Sequence, residues 1–138
     1  MLEFKLTQEN YSLVSSKIPL ILSLNIVENI ALIKEVHIGL SVDKAEGIAK
    51  ESLEKIGLLD IALMSIDKCS DLEIFYVMFI RALMMNRGTI LVESPYLIVE
   101  EIINIEILDE LNQDKDIIIL DTFENETKYE DYRCNIIR

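Results

Sequence analysis

Residues 69–96, CSDLEIFYVMFIRALMMNRGTILVESPY, carry a helix signal that feeds directly into a strand signal, and their reading decides the fold. Ser70 followed three residues later by Glu73 is a capping-box pattern, in which each side chain satisfies a free backbone N–H at a helix start. From Leu72 to Met85 nearly every residue is apolar or aromatic, with Arg81 the main exception. A helix with so little solvent face belongs at the centre of a fold. Asn86, Arg87 and Gly88 supply breaker chemistry, and Thr89 to Val92 form a short apolar, β-prone run suited to a buried parallel strand. That strand ends at Glu93, Ser94 and Pro95, and the carboxyl ends of parallel strands are where open α/β sheets place ligands.

The chain of 138 residues has the size of one domain and can bury a real core. Its 51% hydrophobic content and mean hydropathy of +0.29 argue against disorder and for either a membrane span or a partner-covered surface. No span is expected, because Asn25, Glu28 and Asn29 break one apolar run and Arg81, Arg87 and Gly88 the other, well short of ~20 clean residues. The start, with Glu3 and Lys5, lacks the basic region and apolar run of a signal peptide. Cys69 and Cys134 are too few for a disulfide framework, which fits a reducing cytoplasm. A formal charge of −12 excludes the basic surface that nucleic-acid binding needs. The acidity reads as a solvated face that keeps an apolar protein in solution, or as a dock for a basic partner.

Taken in order, Met1 to Ser16 alternate loosely and predict one or two short strands around a polar turn at Thr7 to Asn10. No glycine precedes Gly39, so no phosphate-cradling glycine loop is available there. Pro19 opens an apolar loop that leads into a helical run from Ile26 to Leu32. Ser41 is the expected N-cap of a helix over Val42 to Ile56 ended by Gly57, and Leu58 to Ile66 predict a further short helix. After Pro95, the stripe Ile98, Ile102, Ile105, Leu108 and Leu111 predicts one helix over Leu97 to Leu111. Ile117 to Leu120 read as a second buried strand, joined to the first by a parallel crossover, and Cys134 to Ile137 as a last strand.

Few residues suggest chemistry. His37 is the sole histidine and, beside Gly39, reads as a surface residue; a zinc site is not expected. Neither cysteine has a histidine neighbour in sequence, and Met64, Met78, Met84 and Met85 read as core. Glu93 and Asp121 end the two buried strands, where a carboxylate is either a magnesium ligand or simply the point at which a strand meets water.

The order of elements resembles the second part of the ATP-binding-cassette (ABC) ATPases, the nucleotide-binding subunits of ABC transporters. Over Cys69 to Tyr96 the family pattern L-S-G-G-Q, a helix ending in A-R-A-L, then N-P, then a strand ending in D-E-P-T, matches without a gap. Ser70 falls on the signature serine, Ile80 to Leu83 on the end of the signature helix, Asn86 on the asparagine, Ile90 to Glu93 on the Walker B strand and Pro95 on its proline. Upstream, LNIVENIA (Leu24 to Ala31) resembles the stretch after the Q-loop, and AKESLEKIGL (Ala49 to Leu58) the helical-subdomain segment ending in V-G-L. The spacing from Leu24 to Leu58, with an insert-like Ile33 to Ser41, resembles the ATPase of bacterial lipid-transport (Mla-type) systems.

The resemblance implies an α/β, partial P-loop NTPase fold in one domain spanning residues 1–138. Residues 24–85 would form the helical subdomain and signature helix, and 1–18 with 86–138 a remnant of the α/β core with a small, mostly parallel sheet. The departures bear on function. Walker A and its strand have no counterpart, since the Q-loop glutamine position already falls on Ser16. Asp71 and Glu73 stand in the signature where the family has glycine and glutamine, with Leu72 at the second glycine. Glu93 stands at the Walker B aspartate, Ser94 at the catalytic glutamate and Thr122 at the switch histidine, so a general base is lost with most of the charge-neutralising groups of phosphoryl transfer.

The expectation is a non-catalytic, ABC-ATPase-like scaffold or regulatory subunit, with Ser70, Glu93, Ser94 and Thr122 as a vestigial nucleotide site and no cofactor of its own. Metal is expected only at Glu93, and only if a partner supplies the nucleotide. Pro19, Leu20, Ile21, Leu22, Leu24 and Val27 are the expected partner-binding residues, because the family receives the coupling helices of membrane subunits there. The implied partners are an ABC permease subunit, an intact ATPase subunit, or both, in a dimer or hetero-complex at the inner face of the cytoplasmic membrane. Two alternatives are a composite-site ATPase completed by a Walker A-bearing partner and a stand-alone α/β interaction domain.

Overall fold

The computed structural model describes residues 11–112 and 114–129. Strands predicted before Tyr11 and at Cys134 to Ile137 lie outside the described residues, as does Cys134 itself. Three strands, β1 (Tyr11–Val14), β2 (Thr89–Glu93) and β3 (Asp116–Leu120), form a parallel sheet in the order β1-β2-β3. The register pairs Val14 with Val92 and Glu93 with Leu120, so all three strands end on one edge. Among the described residues, four α-helices accompany them: α1 (Ile26–Ile38), α2 (Val42–Lys55), α3 (Asp71–Leu83) and α4 (Ile105–Leu111).

The central element is α3, as its composition requires. Ser70 Oγ accepts from the Glu73 N–H at 3.1 Å and Glu73 Oε1 from the Ser70 N–H at 2.8 Å, closing the expected capping box. Phe75 through Ile80 are all buried, and α3 packs against α1, α2, α4 and β1. Phe75 and Phe79 are fully enclosed, and burying such rings contributes roughly 2–3 kcal/mol each. Met78 and Met84 are buried and Met64 lies against the same core, while His37 is exposed.

Three element boundaries depart from the sequence reading. The segment from Ile33, read as an insert, continues α1 to Ile38, where Gly39 takes the left-handed conformation (φ 67°) that a side chain would resist and donates to Lys34 O. Leu58 to Ile66 do not form a continuous helix. They make separate 3-10 turns at Leu59–Ile61 and Ile66–Lys68, with an isolated bridge between Asn25 and Ser65. The free N–H groups at the start of α1 bond to carbonyls of this segment: Ile26 N donates to Met64 O at 3.1 Å and Val27 N to Ala62 O at 2.9 Å.

The third departure is the helix expected over Leu97 to Leu111. A 3-10 turn at Pro95–Leu97 is followed by irregular chain, and only Ile105–Leu111 is helical. Two tyrosine hydroxyls hold the intervening backbone out of a helix, Tyr96 Oη accepting from Ile103 N and Tyr76 Oη from Asn104 N, both at 3.3 Å. Val99 and Ile103 are buried there, whereas Ile102 of the predicted stripe is exposed. Among the described residues, no helix is long and apolar enough to cross a membrane.

Candidate functional site

The parallel register brings Ser15, Glu93 and Asp121 to the carboxyl edge of the sheet. Ser15, one residue beyond Val14, arrives level with Glu93, and its buried hydroxyl donates to Glu93 Oε1 at 2.9 Å. Lys17 Nζ lies 3.4 Å from the same oxygen, with the lysine side chain 79% exposed and that of Glu93 32% exposed. The Ser15 hydroxyl also accepts from Lys17 N at 3.2 Å, so the turn that leaves β1 wraps the carboxylate. Sequence reasoning placed the Q-loop position at Ser16 and overlooked Ser15. The signal was available, since Ser15 is the first polar residue after the paired strand and a strand end needs partners.

Asp121 is engaged elsewhere. Its Oδ1 accepts from Thr122 N at 2.7 Å and from Asn125 Nδ2 at 2.9 Å, and its Oδ2 from Tyr129 Oη at 2.7 Å. These bonds cap the 3-10 turn Phe123–Tyr129 and fold it back until Tyr129 meets the Tyr96 ring edge-on, with centroids 5.8 Å apart. Lys128 Nζ sits 4.0 Å from the centre of that ring. Asp121 is thus a structural acceptor rather than a poised metal ligand. Among the described residues no group of three or more acidic, histidine or cysteine side chains gathers to hold a metal. Glu93 Oε1 is shared between Ser15 and Lys17.

Ser94 adopts φ 43°, ψ 60°, a left-handed conformation unusual for a residue with a Cβ. Its N–H donates to Leu120 O at 2.7 Å and its carbonyl accepts from Leu97 N at 3.0 Å, so neighbouring backbone over-determines the strain. Thr122 is exposed at the end of β3. Ser70 is exposed at the start of α3 with its hydroxyl on Glu73. No described contact joins Ser70 to Glu93, Ser94 or Thr122.

The segment expected to bind a partner divides in two. Leu20 and Val27 are buried and anchor the loop and the first turn of α1, Leu20 still contributing to the lining of the apolar groove beside the loop. Pro19, Ile21 and Leu22 are exposed, Leu22 by 78%, and Leu24 is half-buried. Asn29 holds this loop from beneath: buried at 2% exposure, it accepts from Ile21 N at 2.7 Å and donates to the carbonyls of Ile21, Leu24 and Asn25. Asn25 and Glu28 close a second capping box at the start of α1. Glu28 and Asn29 are therefore polar residues of the helix start, one closing the cap and the other anchoring the loop. Arg81 reaches from α3 to the carbonyls of Ile18 and Pro19, and burial pushes its pKa down, an opposition to its charge that these acceptors offset. The result is an apolar groove of about 250 Å³, with Pro19 and Leu22 on one side and Ile74, Met78 and Ile98 on the other.

This architecture is a mixed helix and strand fold with a small parallel sheet, a partial ABC-ATPase, P-loop-like fold. Among the solved structures it resembles is the dimeric, post-hydrolysis state of the ATP-binding cassette MJ0796 bound to ADP and Pi, with a TM-score of 0.65 and 22% identity. The match covers 85% of this chain and 54% of that one, so the chain spans about half the length of its structural neighbour. No protein-family model matches the sequence, and no curated protein matches it.

Proposed function

We propose that this chain is a non-catalytic, ABC-ATPase-like subunit that acts as a scaffold or regulatory partner of a membrane transporter. The observation that carries the reading is the state of the carboxyl edge. The glutamate at the Walker B position is held by Ser15 and Lys17, and the position of the general base is a strained serine. Serine cannot serve as a general base at neutral pH, and phosphoryl transfer depends on positioned metal and charge-neutralising groups. Ser70, Glu93, Ser94 and Thr122 are then vestiges of a nucleotide site that needs no cofactor.

The surface that remains usable is the apolar groove beside Pro19, Ile21, Leu22 and Leu24. By resemblance this is where an ABC permease subunit would insert a coupling helix, placing the chain peripherally at the cytoplasmic membrane as part of a dimer or hetero-complex. The dimeric state of the structural neighbour supports an assembly of that kind. A lipid-transport role rests on the spacing from Leu24 to Leu58 alone.

One observation favours a second reading. Ser70 lies exposed at a helix N-terminus, open to a partner's nucleotide in a composite site with ATP and magnesium. Photocrosslinking with a labelled ATP analogue separates the two. The scaffold reading expects no labelling of this chain, alone or mixed with an intact ABC ATPase, and co-purification with an ABC permease that Leu22→Asp abolishes. Labelling of this chain only in the mixture would establish the composite site and overturn the scaffold.

A further inference from the structure

We propose that the open cleft lined by the C-terminal ends of α2, α3 and α4 is an anion site that takes a phosphate group. The chain carries 13 basic residues against 25 acidic ones, yet Lys34, Lys55 and Lys115 all line this one cavity of about 210 Å³. Among the described residues Asp114 is the one carboxylate on its wall, so the lining side chains are net positive, set against the negative ends of the helix dipoles. Among the described residues, none of the three lysines has a carboxylate oxygen within 4.0 Å, the described ion pair being that of Lys17 with Glu93.

Lysines at helix C-termini have an ordinary role, which is to meet the free carbonyls and the negative end of the helix dipole. That role accounts for Lys55, in the last turn of α2, and for Lys115, whose Nζ donates to Leu83 O at 3.3 Å. It does not account for Lys34, which precedes the last turn of α1. An ammonium has three donors, and Lys115 is shown using one of them. Burial pushes the Lys115 pKa down, Asp114 opposes this, and the positive charge of Lys34 pushes it down further. Lys34 and Lys115 line one cavity and repel each other, and an anion held there would relieve the repulsion.

The surroundings define the ligand. Leu83, Met84 and Leu111 form the apolar part of the lining. Ser52 adds hydrogen-bonding capacity, while the Asn112 side chain is bonded to the Lys115 backbone and holds that lysine at the wall. The volume lies below the range of about 300–1,000 Å³ usual for drug-sized ligands. It suits a phosphate or pyrophosphate group rather than a whole nucleotide. The cavity lies at the amino end of the sheet, where Gly88 O accepts from Asp116 N, and so is separate from the Ser15–Glu93 edge and independent of the scaffold reading.

The test is an NMR titration of the full chain with sodium pyrophosphate at constant ionic strength, with inorganic phosphate and ATP as parallel arms. Saturable amide shifts are expected around Lys34, Lys55, Asn112 and Lys115, strongest with pyrophosphate, with ATP acting at the same amides no more tightly. Lys55→Gln and Lys34→Gln should each weaken binding by about fivefold, the scale of one unit charge about 4 Å away in a site open to bulk water. Lys44→Gln, on the exposed first turn of α2, should leave it unchanged. Circular dichroism confirms that each variant is folded. Absence of saturable shifts at the cavity, equal weakening by Lys44→Gln, or ATP shifts confined to the Glu93–Ser94 edge would each overturn the proposal.

Discussion

Ser15 donates its hydroxyl to Glu93 across the carboxyl ends of two adjacent parallel strands, and the two residues are 78 positions apart in sequence. The bond joins the turn that leaves β1 to the acid that ends β2, and it satisfies a hydroxyl buried at 1% exposure. Ser15→Ala is expected to destabilise the chain by about 1 kcal/mol, the net worth of such a bond. Lys17→Ala should leave the urea midpoint nearly unchanged, because an exposed ion pair contributes little. Urea unfolding of the two variants checks the order, and a larger effect from Lys17 would contradict it.

Asn29 is a second buried polar group with every hydrogen bond directed at one loop. Asn29→Ala removes the partners of several backbone groups between Ile21 and Asn25 at once, and is expected to cost about 2–3 kcal/mol. The loop should open before the core does. Limited chymotrypsin digestion should therefore cut between Leu20 and Leu24 faster in the variant, while the helices resist.

The left-handed backbone at Ser94 costs roughly 1–2 kcal/mol for a residue with a Cβ. Glycine escapes that strain but loses more entropy on folding, by about 0.5–1 kcal/mol. Ser94→Gly should consequently be more stable than Ser94→Ala by about 1 kcal/mol. Thermal melts of the pair measure the difference directly, and equal stability would mean that the backbone is not left-handed in solution.

The Cys69 thiol is held protonated. Burial raises its pKa above the ordinary value, Glu73 and then Asp67 add to the rise, and its Sγ lies 3.6 Å from Ser65 O. A raised pKa leaves less thiolate at neutral pH, and the thiolate is the nucleophile. Iodoacetamide should modify Cys69 more slowly than a free thiol at pH 7.5, with the rate climbing as pH passes above the ordinary thiol range. Asp67→Asn should speed the reaction. Mass spectrometry of the Cys69 peptide separates it from Cys134.

By itself, the sequence determined the elements whose signals are local. The apolar run Leu72 to Met85 with the Ser70–Glu73 box defined the central helix, because capping geometry and continuous hydrophobicity are properties of adjacent residues. Ser41 and Gly57 bounded α2 for the same reason, and the strand at Thr89 was legible from its short apolar run. Only the tertiary structure decided what depends on residues far apart. The hydroxyls of Tyr76 and Tyr96 took backbone N–H groups that a helix from Leu97 would have used, and α1 took the carbonyls of Ala62 and Met64. Leu20 and Val27 went to the core while Leu22 stayed outside, a division set by which side of the Asn29-anchored loop meets α3. The meeting of Ser15 with Glu93, and of three lysines around one cavity, follows from strand register and helix packing, which bring together residues that no local pattern connects.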